Sequence, residues 1–154
     1  MPSQNVYIDT DMLIFYFDKT SDKGRIARDT INKIKNGLDN SEIHVKTPQV
    51  VLGELLLSSC EGKCELVKII KLLKDLEAEF PSADSEILAC AQELMNGDQY
   101  IQPNDAMLIA HALKDESTEW LFTTDRNLIT NLEISRKMDE MKNKFSIASS
   151  FHSI

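Results

Sequence analysis

Short β-prone runs alternate with longer helical stretches along this chain, and that alternation limits it to an α/β arrangement with a largely parallel sheet. Val6-Tyr7-Ile8 is an apolar run of strand type, and Asp9-Thr10 turns from it into an apolar helical segment reaching about Phe17. Residues 22–38 predict an amphipathic helix with Ile26, Thr30, Ile31, Ile34 and Leu38 inward, stopping near Gly37. Glu42-Ile43-His44-Val45-Lys46 predicts a second strand. Thr47-Pro48 then starts a helix, Thr47 as cap and Pro48 in its first turn, that carries Glu54 and ends near Ser59. Residues 63–77 predict another helix, with Leu66, Ile69, Ile70, Leu73 and Leu76 on one stripe. A short strand at Glu79-Phe80 is compatible with the pattern. Asp84 or Ser85 caps a helix running to Asn96-Gly97, and Pro103 opens one whose Ala106, Ile109, Ala110 and Leu113 form an apolar face. Trp120-Leu121-Phe122-Thr123 reads as a buried strand, followed by a short helix from Arg126 and a last strand near Phe145-Ser146-Ile147.

Within this frame four carboxylates stand out, because each is set in or against an apolar segment. Asp9 lies between Val6-Tyr7-Ile8 and Met12-Leu13-Ile14-Phe15, and Glu54 interrupts the run from Val50 to Leu57. Asp105 opens Asp105-Ala106-Met107-Leu108-Ile109-Ala110, and Asp125 closes Trp120-Leu121-Phe122-Thr123-Thr124. An acid drawn toward a core costs several kcal/mol unless it is paired, hydrogen-bonded or metal-bound. Few basic residues lie close by in sequence. In a parallel sheet, ligands bind outside the carboxyl ends of the strands. Asp9 and Asp125 each follow a strand, Asp105 sits in the first turn of a helix and Glu54 two turns into another, so all four can converge at one sheet edge. A cluster of oxygen ligands suits a hard divalent cation, Mg²⁺ or Mn²⁺. Such a cation relieves the repulsion and activates a water for hydrolysis, and two cations about 4 Å apart would also stabilise a leaving phosphodiester oxygen.

Composition narrows the alternatives. At 154 residues, 42% hydrophobic and 27% charged, the chain fits one globular domain spanning 1–154. No apolar run approaches the roughly 18 residues of a membrane span, and the polar start Met1-Pro2-Ser3-Gln4-Asn5 shows no secretory signal, so a cytoplasmic location is expected. Cys60, Cys64 and Cys90 cannot all pair, and Cys60-x-x-x-Cys64 lacks a second ligand pair for zinc. His44, His111 and His152 are scattered, no triad-like serine or cysteine context exists, and there is no Gly-rich phosphate loop. The net charge of −8 is uneven: residues 1–77 carry 11 Lys and Arg against 12 Asp and Glu, residues 78–154 only 6 against 13. Two basic stretches run against this balance. One holds Lys19, Lys23, Arg25, Arg28, Lys33 and Lys35, the other Arg136, Lys137, Lys142 and Lys144. Each is compatible with a solvated helix face.

The segments Val6-Tyr7-Ile8-Asp9-Thr10-Asp11-Met12-Leu13-Ile14, Val51-Leu52-Gly53-Glu54-Leu55-Leu56, Asn104-Asp105-Ala106-Met107-Leu108-Ile109-Ala110-His111-Ala112 and Leu121-Phe122-Thr123-Thr124-Asp125-Arg126-Asn127-Leu128 resemble, in order and spacing, the four acidic motifs of the PIN domain family. The resemblance covers essentially the whole chain, and its specificity lies in the ordered set. It implies a three-layer α/β/α fold around about five mostly parallel strands, and a Mg²⁺/Mn²⁺-dependent endoribonuclease with Asp9, Glu54, Asp105 and Asp125 as catalytic, metal-holding acids. Thr10 and Thr123 are similar to hydroxyl residues that hold the carboxylates. Asp11, where the family often has Asn or Ser, is an outer ligand or a helix N-terminal charge. Asn127 touches the site or caps the short helix. Small proteins of this family resemble the toxin half of toxin–antitoxin pairs, commonly homodimeric and silenced by a small antitoxin protein. Lys19, Lys23, Arg25 and Arg28 are the expected RNA-facing strip.

Three other readings compete. A PIN-like scaffold that binds RNA or protein without cutting would have little need for four repelling carboxylates. Asp9-Thr10-Asp11 also matches the opening of haloacid-dehalogenase-type phosphatases, yet Met12-Leu13 follows and no late G-D-x-x-x-D is present. A response-regulator receiver domain needs a phosphorylatable Asp after a middle strand and a Lys after a later one, and neither is placed here.

Overall fold

Strand β1 (Gln4–Ile8) is flanked by a strand on each side, and its Val6, Tyr7 and Ile8 are all buried, so it forms the spine of the sheet. The computed structural model describes residues 4–38 and 43–151. Glu42 and His152 lie outside the described residues. After β1 come α1 (Thr10–Phe15), α2 (Asp22–Leu38), β2 (Ile43–Lys46), α3 (Gln49–Cys60), α4 (Leu66–Asp75), α5 (Ser85–Gly97) and α6 (Pro103–Lys114). β3 (Thr118–Phe122), α7 (Arg126–Ile129), α8 (Leu132–Met141) and β4 (Ser146–Ala148) complete the order.

The sheet is parallel throughout, in the order β2-β1-β3-β4. The chain leaves β1 first toward β2 and returns across it to β3, so β1 and β3 flank the point where the direction of winding reverses. Right-handed crossovers then put α1 and α2 on one face and the later helices on the other. In keeping with this, α1 packs on α2, while α8 packs on α5 and α6. Such a reversal opens a crevice at the carboxyl ends of the two strands. The β1–β3 register shifts once, between Asn5 and Val6: Asn5 stands opposite Thr118 but Val6 opposite Trp120. One extra residue of β3, Glu119, is absorbed there.

Among the described residues the sheet has four strands where the sequence predicts about five. Glu79 still adds to the β2 edge, accepting from the Thr47 N–H and donating to the Val45 carbonyl, as an isolated bridge to Lys46. Pro81, which has no N–H to donate, stops that ladder from growing.

Several helix details depart from the sequence pattern. Pro48, not Thr47, is the N-cap of α3, and the buried Thr47 hydroxyl makes no hydrogen bond. In α4 the inward stripe is Ile69, Leu72, Leu73 and the following Leu76, whereas Ile70 is exposed. Helix α8 carries only Ile134, Lys137 and Met138 inward, too sparse an apolar set to announce itself. Its start is fixed by Asn131, whose side chain accepts the Ile134 N–H at 3.0 Å, and its buried Lys137 pairs with Glu93 of α5 and with Glu140. Asp84 caps α5 by accepting the Ile87 N–H at 2.9 Å, and Pro103 occupies the first turn of α6, both as the sequence predicts. Gly24 is required where α2 crosses the end of the preceding loop: a Cβ there would lie 1.9 Å from the Asp18 carbonyl oxygen.

The core is one cluster of buried side chains from β1, β2, β3 and the helices packed on them, with Ile8, Met12, Leu13, Ile109 and Phe122 fully enclosed. Each such side chain is worth about 1.5–3 kcal/mol of burial. Among the described residues, no helix is long and apolar enough to cross a membrane.

Candidate functional site

Asp9 leaves the carboxyl end of β1 at the level where Phe122 leaves β3, its N–H donating to the Phe122 carbonyl at 2.9 Å. Its side chain is 4% exposed, and it is the N-cap of α1. One carboxylate oxygen accepts the Thr10 N–H at 2.7 Å and the other accepts the Thr123 hydroxyl at 2.7 Å. The Thr123 Oγ1 in turn accepts the Asp125 N–H at 3.1 Å. This one hydroxyl therefore ties the loop after β3 to the carboxylate after β1. Thr10 works in the other direction, donating its hydroxyl to Glu54 Oε1 of α3 at 2.8 Å.

Asp105 is set in the first turn of α6 and Asp125 is the N-cap of α7, where it accepts the Asn127 N–H at 2.9 Å. Asp11 sits in the first turn of α1. The five acids act on one another. Burial, followed by repulsion from Asp105, Asp11 and Glu54, pushes the Asp9 carboxyl up to about 7 against the hold of the Thr123 hydroxyl. Burial and then Glu54, Asp125 and Asp11 push Asp105 up to about 6. Glu54 is raised by burial and by Asp11, although Thr10 and Asn104 hold its charged form by hydrogen bonds. Asp11 is raised by burial and by Asp125, with Lys23 acting against them.

Thus Asp9, Glu54, Asp105, Asp125 and Asp11 gather at the crevice between β1 and β3. No three Asp, Glu, His or Cys side chains among the described residues form a ready coordination shell. Asp9, Asp11, Glu54 and Asp105 are nevertheless near enough to other acids of the group to be raised by them as well as by burial. The donor set fits a hard divalent cation, all oxygen and strongly anionic, and Asp9 is buried with no ion pair to a lysine or arginine among the described residues.

The supporting residues divide. Thr10 and Thr123 make the carboxylate hydrogen bonds that their positions predict. Asn127 contributes its backbone N–H to Asp125 while its side chain is exposed. Asn104, which sequence reading passed over, bonds Glu54; a polar residue next to Asp105 in the first turn of α6 was the available signal. Of the basic strip, only Lys23 is shown acting on the acids, lying over the Phe15 ring at 5.4 Å from its centre. Arg28 donates instead to the Asp18 carbonyl, and Lys19 and Arg25 are exposed. Arg126, which follows Asp125 in the fourth acidic segment, lines a cavity with Lys23, Asp11 and Asp125.

His111 lies away from this cluster, buried on α6, where burial lowers its pKa. Cys60, Cys64 and Cys90 are free thiols.

Comparison with solved structures finds a chain from the crystal structure of VapBC2 from Rickettsia felis bound to a DNA fragment from their promoter, with a TM-score of 0.59 at 14% identity. The match covers 94% of this chain and 97% of that one, a likeness of fold. None of the curated protein sequences matches this chain. A family model describing the PIN domain matches residues 6–131, which takes in all four acidic segments. The chain belongs to the PIN domain family.

Proposed function

We propose that the protein is a divalent-metal-dependent endoribonuclease that hydrolyses RNA phosphodiester bonds at the acidic crevice. The observation that carries this reading is Asp9, a carboxylate buried at a strand end among four other acids and in no ion pair with a lysine or arginine among the described residues. A fold does not keep such a group for stability, because burying it unpaired is costly. Family membership supports the class of chemistry, since PIN domains are generally nucleases.

In this reading Asp9, Glu54, Asp105 and Asp125 hold Mg²⁺ or Mn²⁺, which supplies water activation and charge neutralisation on the phosphate. The chain's own part is to hold these carboxylates at fixed places. Thr123 orients Asp9 and, through the Asp125 N–H, the start of α7. Thr10 and Asn104 hold Glu54. Asp11 adds charge from the first turn of α1. Lys23 gives the strand of RNA a phosphate contact, with Lys19, Arg25 and Arg28 contributing further along α2 and the loop before it. The reading extends to a role as the toxin of a toxin–antitoxin pair, acting in the cytoplasm as a homodimer and silenced by a small antitoxin protein; of these, the likeness in fold to a VapBC2 chain bears on the antitoxin partner alone.

The test is cleavage of a labelled single-stranded RNA pool with Mn²⁺ or Mg²⁺, comparing wild type with Asp105→Asn. Metal-dependent cleavage lost in the variant is expected. No cleavage by wild type across the pool would favour a scaffold that binds without cutting.

A further inference from the structure

Two cavities flank the segment from Asp125 to Thr130, and they differ in chemistry. One, of about 630 Å³, is lined by Lys23 and Arg126 together with Asp11 and Asp125. The other, of about 740 Å³, reaches from Asp105 and Asp125 out to Tyr100 and Leu132. Asn127 and Thr130 line both. The second contains no lysine or arginine, so it does not suit a phosphate, yet it presents two large exposed apolar side chains. Tyr100 is 80% and Leu132 85% exposed.

Tyr100 is not a loose surface residue. It stands in the loop joining α5 to α6, next to Ile101, which is buried in the core. Its N–H donates to Asp98 Oδ1 at 2.9 Å, and the Ile101 N–H donates to the Asp98 carbonyl at 3.2 Å. Asp98 Oδ2 accepts Asn131 Nδ2 at 2.9 Å, which ties this loop to the start of α8 and so to Leu132. The fold spends a buried anchor and three hydrogen bonds on a loop that holds an aromatic ring in solvent at the rim of the acidic crevice.

We propose that this groove is a nucleobase subsite, in which Tyr100 stacks a base of single-stranded RNA adjoining the bond placed over the acids, while the neighbouring phosphate takes the Lys23–Arg126 side. The inference rests on the nuclease reading and adds to it a direction and a contact that selects unpaired strands. A base is neutral, so the acids that repel phosphate do not oppose it, and its flat face matches an exposed ring. Duplex RNA cannot offer that face, since its bases are stacked on one another. The exposed Asn127 side chain in the same groove can hydrogen-bond a base edge.

The experiment uses full-length protein carrying Asp9→Asn, so that RNA is not consumed, with Tyr100 intact, Tyr100→Phe or Tyr100→Ala. Single-stranded hexanucleotides carrying 2-aminopurine at each position in turn report stacking by loss of fluorescence. The expected result is quenching confined to one or two positions, kept in Tyr100→Phe. Tyr100→Ala should abolish it and weaken binding about 5- to 100-fold. Equal quenching and affinity in Tyr100→Ala, or no binding of any oligonucleotide, overturns the subsite; the first of these would mark Tyr100 and Leu132 as anchors for a protein instead. Cleavage by the chain with Asp9 restored is read separately. Stacking without metal-dependent cleavage sinks the nuclease reading and keeps the subsite, whereas cleavage with unchanged binding in Tyr100→Ala does the reverse.

Discussion

Neutralising Asp9 should make the metal-free protein more stable at alkaline pH and not at acid pH. Its carboxyl is raised from 3.8 to about 7 in the fold, so wild type loses stability as pH climbs between those values and carries the whole loss above them. At pH 8 the penalty is on the order of 4 kcal/mol, and at pH 5, where most of the group is protonated, under about 2 kcal/mol. Asp9→Asn removes it. The amide oxygen can still accept the Thr10 N–H, but its NH₂ faces the Thr123 hydroxyl, a mismatch worth about 1–2 kcal/mol. The balance favours the variant by about 2–3 kcal/mol at pH 8 and is near zero at pH 5. For a chain of this size that is a gain of roughly 5–10 °C in Tm at pH 8. Thermal melts of both proteins in EDTA at the two pH values measure it. A variant destabilised equally at both would refute the reasoning, because it would show that Asp9 contributes structure and not the penalty of a buried charge.

Adding Mn²⁺ should offset that difference at pH 8: free metal at about 100 times its Kd stabilises wild type by about 2.7 kcal/mol, and Asp9→Asn/Asp105→Asn far less. An equal rise in both melting curves would place the metal elsewhere. Thr123→Val should weaken Mn²⁺ binding about 10- to 100-fold by releasing Asp9 from its hydrogen bond, with Thr123→Ser close to wild type; a calorimetric titration decides, and an unaffected Val variant would count against the tether. Lys23→Ala should lower the slope of RNA affinity against salt by about 1, and Arg28→Ala, whose guanidinium is engaged by the Asp18 carbonyl, should lower it less. Identical slopes would contradict the assignment of the phosphate path. Ile69→Ala, at a fully enclosed position, should cost about 2–5 kcal/mol, while Ile70→Ala should cost little, as urea unfolding would show.

How much of this was legible in the sequence depended on whether a residue's role left a pattern. Asp9 and Asp125 could be read because each follows an unbroken apolar strand, and a strand's carboxyl end is where a parallel sheet opens. Asp84 and Pro103 could be read because caps and first-turn prolines are local chemistry. Thr47 misled for the same reason in reverse: threonine is a good cap, but Pro48 beside it already has the extended backbone an N-cap needs, φ −54° and ψ 154°. Ile70 misled because a helix of mixed Leu, Ile and Lys carries more than one apolar stripe, and only packing selects between them. Helix α8 was missed because Leu132-Glu133-Ile134-Ser135-Arg136-Lys137-Met138 buries a lysine, held by Glu93 from a distant helix. Tyr100 has no periodic neighbours at all. Its place became visible only once the loop and the acids stood in one groove.

The shift in the β1–β3 ladder has a consequence for how this chain tolerates change. Both ends of the strand pair are pinned by side chains: Asn5 and Tyr7 donate to Asp115 at 2.7 and 2.8 Å at the far end, and Thr123 donates to Asp9 at the crevice. Two fixed ends joined by segments of unequal length need slack, and Glu119 supplies it. Removing Glu119 would bring Thr118 and Trp120 into consecutive places against Asn5 and Val6 and leave Phe122 level with Ile8. A chain lacking Glu119 is therefore expected to pair β1 and β3 without the shift and to keep Thr123 level with Asp9.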